Sequence, residues 1–136
     1  MSRILYQHPD GSVAVIIPAP DCGLTIEEIA AKDVPQGLTW QIVDEADIPT
    51  DRTFRNAWCL KNGHFDHDLD KCCAITKDRL RAERKPLLEL QDVLFMRSVE
   101  RGENTSTIAG EKQRLRDVTK LVTTDMTLEQ MKELHP

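Results

Sequence analysis

Two cysteines and two histidines fall close together at Cys59, His64, His67 and Cys72, spaced C-x4-H-x2-H-x4-C. Two thiolates and two imidazoles make a chemically sound tetrahedral zinc set. The spacing departs from the usual C-x2-C with H-x3–5-H pattern, and Cys72 falls beyond Asp68, the natural N-cap of a long helix. The competing reading makes Cys59 and Cys72 small buried hydrophobes and the histidines loop residues. Cys72 and Cys73 are adjacent, and on a helix their side chains diverge by about 100°. A disulfide between them is strained; one thiol is expected to face inward and the other outward, where it can cross-link a neighbouring subunit. Asp66, Asp68 and Asp70 alternate as in a calcium loop but lack its glycine and distal glutamate. Cysteine, histidine and carboxylate are all present for nucleophilic catalysis, yet no spacing brings them together. There is no phosphate loop and no dinucleotide fingerprint.

The totals narrow the function classes. The chain of 136 residues has length for one ordinary domain, or for a small domain with a helical arm, and it carries a net charge of −5. Residues 1–67 hold five basic and ten acidic side chains, whereas 68–136 hold thirteen of each. Acidity in the amino half and an aromatic content of 4% argue against nucleic-acid binding. The opening MSRILYQHPDG lacks an apolar run of signal-peptide length, and no stretch approaches the ~20 apolar residues of a membrane span. Synthesis in a reducing cytoplasm is therefore expected, with free thiols rather than a disulfide framework.

The elements that must position these residues read as α+β. Arg3–Tyr6 and Ser12–Ile17 are strands of a hairpin around the turn His8-Pro9-Asp10-Gly11. Thr25-Ile26-Glu27-Glu28 is a capping box opening a short helix that ends near Lys32, and Leu38–Val43 alternates as a third strand. Residues 1–48 thus form a small ββαβ unit with Ile4, Val13, Val15, Ile17, Ile29 and Ile42 as its core. Residues 49–67 read as a linker in which Phe54 and Trp58, one helical turn apart, anchor to a surface.

Residues 68–136 read as a helical hairpin region. Leu69, Cys73, Thr76, Leu80, Glu83, Leu87, Leu90 and Leu94 recur at steps of four and three, the seam of a packed helix. Leu88, Phe95 and Val99 add a second stripe, so the carboxy-terminal half is expected to be the more deeply buried. Pro86 predicts a kink or a break and restart. Lys71–Lys85 carries six basic and two acidic side chains, read as a solvated face with local ion pairs. After Gly102, Asn104 or Thr105 caps a second helix whose stripe is Ile108, Leu115, Val118 and Val122. Thr127-Leu128-Glu129-Gln130 is another capping box, opening a short terminal helix.

Four segments together resemble a group of small proteins encoded among the virion structure genes of tailed bacteriophages and prophages. These are D-R-T-F-R-x-A-W at Asp51–Trp58, R-x-x-R-x-P-L-L at Arg81–Leu88, K-Q-x-L-R-D at Lys112–Asp117, and the terminal Thr127–Pro136. The resemblance implies a non-enzymatic structural protein of the virion, in the tail or head–tail region, made in the host cytoplasm. Its partners would be other phage structural proteins in a multi-copy assembly, with no cofactor, no membrane and no nucleic acid. Phe54, Trp58, Leu87, Leu94 and Phe95 are the expected interaction residues. Two alternatives stand beside this reading: a tail assembly chaperone absent from the mature particle, and a zinc-binding regulatory or enzymatic module.

Overall fold

A computed structural model describes every residue from Met1 to Pro136 and shows an α+β chain. The chain divides into two units, Met1–Leu69 and Asp70–Pro136. None of its helices is long and apolar enough to cross a membrane.

In the first unit, β1 (Ser2–Gln7) is central, flanked by β2 (Val13–Ile16) and β3 (Trp40–Asp44) in the antiparallel order β2-β1-β3. The expected hairpin turn forms: Gly11 has φ 89°, its amide donates to the His8 carbonyl, and Asp10 accepts from both the amide and the hydroxyl of Ser12. Register places Ile4 beside Ile16 and Ile42, and Leu5 beside Val15 and Gln41. Successive residues of β1 point to opposite faces. Ile4 packs on α1 (Ile26–Asp33) through Ile29, Ala30 and Val34. The helix starts where the sequence puts it, with both halves of the Thr25–Glu28 capping box formed.

Leu5 lies on the other face, and this face is also buried. Its cover comes from residues 49–67, which are not a linker but an integral part of the unit. After a 3₁₀ turn at Arg55–Ala57, β4 (Trp58–Lys61) and β5 (His64–His67) form a second antiparallel hairpin. Trp58 and Leu60 form a cluster with Leu5 and Val13. The hairpin turns at Asn62 and Gly63, both at positive φ (52° and 77°), the geometry that an Asn-Gly pair adopts most readily. Of the six core residues expected, Ile4, Val13 and Ile29 are buried and Val15 and Ile42 half-buried. Ile17 is 68% exposed, because β2 ends one residue before it.

In the second unit, α2 (Leu69–Glu100) runs for 32 residues without a break. Pro86 neither ends nor restarts it. Ala82, whose carbonyl would have received the missing amide, and Pro86 are both exposed, so water can satisfy the freed acceptor. The expected burial gradient is reversed. Cys72, Cys73, Thr76 and Leu80 are buried, whereas no residue of α2 beyond Leu80 is. The Thr76 hydroxyl donates to the Cys72 carbonyl at 2.9 Å, so this one buried polar side chain is satisfied.

α2 ends in a Schellman cap. Gly102 has φ 68°, its amide donates to the Val99 carbonyl, and the Glu103 amide donates to that of Ser98. Asn104, rather than Thr105, supplies the capping oxygen of α3 (Ser106–Asp117), accepting from the Ser106 amide. α3 pairs with α2 through Arg84, which donates to the Leu115 and Arg116 carbonyls, and through the 2.6 Å ion pair Lys112–Asp92. Leu115, Val118 and Val122 are buried as the stripe predicts, and Ile108 is half-buried. α4 (Leu128–Glu133) opens on the complete Thr127–Gln130 capping box, and Arg79 holds it by donating to the Met131 carbonyl at 2.9 Å.

Pro86→Ala restores a backbone donor at an exposed position of a continuous helix, and it is expected to stabilise the protein by about 1–3 kcal/mol in urea unfolding. A loss of stability instead would mean that α2 is shaped around the proline ring.

Candidate functional site

The four candidate zinc ligands do not converge. Across the β4–β5 hairpin, Trp58 is opposite His67, Cys59 opposite Asp66, and Lys61 opposite His64. Side chains alternate faces along a strand. His67 therefore shares the face of Trp58, whereas His64 and Cys59 lie on the reverse face, and a cation stands directly beside His64. Cys72 is buried on α2. No three histidine, cysteine or carboxylate side chains are grouped to hold a metal. The sequence spacing assumed a flexible loop; a four-residue strand holds the two histidines apart instead.

The thiols also depart from expectation. Cys72 and Cys73 are both buried, so neither is the outward-facing cross-linker; Cys22 is the exposed cysteine. Cys22 lines a surface groove of about 420 Å³ with Arg3, Pro18, Pro20 and Leu24. No histidine or carboxylate lines that groove, so no general base stands beside the thiol there.

The D-R-T-F-R-x-A-W segment buries Phe54, Ala57 and Trp58 and leaves Asp51, Arg52, Thr53 and Asn56 exposed. Phe54 and Trp58, expected to anchor this segment to a surface, are both buried, and Trp58 packs on Leu5 and Val13 of the sheet. The Arg55 guanidinium lies 4.5 Å from the Trp58 ring centre and that of Arg52 5.3 Å. Phe65 meets the same indole edge-on at 5.3 Å. Arg55 also donates to the Val13 carbonyl at 2.6 Å, which ties the hairpin layer to the edge of the sheet. Burial, with the neighbouring Arg52 charge, pushes the Arg55 pKa down. Two arginines on one indole make a cation–π stack that is strongest where water is excluded. The indole Nε1 itself is buried without a hydrogen-bond partner.

His67 extends this aromatic row, 5.5 Å from Phe65. Burial lowers its pKa, and the neighbouring Asp66 only partly opposes the shift. Around Glu83, burial pushes the carboxyl up. Hydrogen bonds from Arg79 and His135 and their charges outweigh this and hold its pKa below the usual carboxylate value. Much of the basic face of α2 is thereby used within the second unit: Arg79 on Glu83, Arg81 on Asp78, and Arg84 on the end of α3.

Exposed apolar side chains remain around the carboxy-terminal half of α2. Leu87, Leu90, Val93, Met96 and Val99 recur every third residue and are 39–60% exposed. Leu94 and Phe95, the other expected interaction residues, are half-buried, and Lys112 stands 5.1 Å from the Phe95 ring centre. Val93 and Met96 fall on neither of the two apolar stripes legible in the sequence. The signal that was available is the excess of apolar positions over what one short partner helix can cover. Compared with protein-family models, with curated proteins and with solved structures, the chain matches none.

Two measurements check this site. Trp58→Ala is expected to cost about 3–5 kcal/mol, while Trp58→Phe, which keeps a ring and removes the unpaired donor, should cost much less. His67 is expected to titrate below about 6.5 in an NMR pH series. The folded state then binds this proton less readily than the unfolded chain, so stability falls as pH drops through the window just below that value. His67→Phe should flatten that segment of the stability curve.

Proposed function

We propose that this chain is a non-enzymatic structural adaptor of a tailed-bacteriophage particle, placed in the tail or head–tail region and binding other virion proteins. The carrying observation is the five exposed apolar side chains on α2. So many large apolar side chains exposed on one helix are the kind of surface that partners bury. The resemblance of Asp51–Trp58, Arg81–Leu88 and Lys112–Asp117 to phage structural proteins supports the setting. The places of those motifs support it as well: they stack an indole, tie α3 to α2, and leave these side chains of α2 free.

Quantitative mass spectrometry of purified particles tests the reading, with the expected result a fixed, multiple copy number of this chain. Abundance in infected cells with absence from particles would replace it with an assembly chaperone. Met96→Asp, at an exposed position, should leave the fold intact by circular dichroism and lower incorporation about tenfold or more, the effect of burying an unpaired carboxylate at an interface.

A further inference from the structure

We propose that the open edge of β3 takes an extended peptide segment of another protein as a fourth, antiparallel strand. The inference goes beyond the reading above: it rests on the first unit alone and uses none of the side chains of α2.

The backbone pattern defines what this edge can bind. The Gln7 amide donates to the Thr39 carbonyl and the Glu45 amide to that of Met1, so the odd-numbered residues from 39 to 45 bond to β1. The residues between them face away from β1. The amides of Trp40, Ile42 and Asp44 and the carbonyls of Trp40 and Ile42 therefore meet no strand. The other edge of the sheet is already engaged: Arg55 donates to the Val13 carbonyl of β2, and Trp58 and Leu60 pack against Val13. β3 has none of the usual guards of an exposed edge, since Trp40–Asp44 contains no proline, lysine or bulge. An extended backbone matches such a row of alternating donors and acceptors group for group.

A groove beside the edge selects the side chains of the segment. It has a volume of about 370 Å³ and is lined by Ala30, Ala31, Val34, Pro35, Leu38 and Trp40. Trp40 shares the α1 face of the sheet with Ile42 and is 42% exposed. A strand laid along β3 places one apolar side chain opposite Trp40, at the mouth of the groove, and a second opposite Ile42. Asp44 is on the same face at the far end, exposed and 3.9 Å from the Met1 ammonium, and favours a cation opposite it. In the antiparallel sense the segment reads cation-x-apolar-x-apolar.

These features favour a peptide over a second copy of this chain. The two-fold register that pairs the whole of β3 is centred on Ile42, and it sets Asp44 of the second copy opposite Trp40. A carboxylate would then stand unpaired beside an apolar groove, which is costly. A strand of five residues also extends only about 17 Å. That length suits a peptide and is short for a standard interface of ~800 Å² per partner.

An NMR titration of the isotope-labelled full chain with the synthetic peptide acetyl-TKTVTLT-amide tests the proposal. The lysine, valine and leucine of this peptide fall opposite Asp44, Ile42 and Trp40. The amide resonances of Trp40, Ile42 and Asp44 are expected to shift and to gain protection from hydrogen exchange, with half-saturation below about 1 mM. Methylating the backbone nitrogen of the peptide's valine keeps every side chain and removes one strand donor, and should weaken binding about tenfold or more. Ala31→Glu, at the exposed wall of the groove, should leave the fold intact by circular dichroism and weaken binding about tenfold. No change at the three amides with about 5 mM peptide, or equal binding of the methylated peptide, would overturn the proposal. So would a chain that is dimeric on its own with the Ile42 amide already protected, which gives the edge to a second copy. Peptide binding by a chain absent from particles would uphold this site and remove the adaptor role; failure to bind by a chain found in particles would do the reverse.

Discussion

A three-stranded sheet that is apolar on both faces needs two covers, and the first unit has only one helix of any length. α1 takes the Ile4 face. The Leu5 face depends on Trp58, the largest fully buried side chain of the chain. Burying an indole brings a large apolar area but strands its Nε1 donor, which has no partner here. The two guanidiniums over the ring add cation–π attraction to its face, although they supply no acceptor for Nε1. One of them also satisfies the Val13 carbonyl at the edge of β2. The indole, the arginine and the strand edge form one mechanical unit, and the β4–β5 hairpin is the means of delivering it.

That dependence explains where sequence reasoning succeeded and where it failed. Caps and turns are local chemistry, so Thr25–Glu28, Thr127–Gln130 and Asp10–Gly11 were legible. The strands around Asn62 were not, although Trp58, Leu60, Phe65 and His67 alternate in and out as strands should. Phe54 and Trp58 also sit at a helical spacing of four, and in so short a segment a period of two cannot be told from a helical turn. Leu5 was passed over for a related reason. Its cover, Trp58 and Leu60, comes from residues 49–67, which the sequence reads as a linker.

The error on α2 has a different origin, and lengths settle it. At 1.5 Å per residue a helix of 32 residues extends about 48 Å and one of 12 residues about 18 Å. α3 covers a single face over part of that span, where Arg84 and Lys112 hold it. Apolar residues spread over a wider arc cannot all be covered by it. The seam pattern correctly found Cys73, Thr76 and Leu80. Past Leu87 the same pattern marks a surface, because periodicity reports which residues share a face and not whether anything packs there.

Apolar side chains open to water carry an aggregation hazard, so the charges among them matter as much. Glu89, Arg97, Glu100 and Arg101 are exposed among Val93, Met96 and Val99, and burying any of these charges unpaired would be costly. A contact that supplies an opposite charge at the same place avoids that penalty. Specificity of this kind comes from costs imposed on wrong arrangements rather than from additional attraction to the right one. The exposed apolar side chains of α2 are thus interspersed with exposed charges around the helix rather than gathered into one uninterrupted strip.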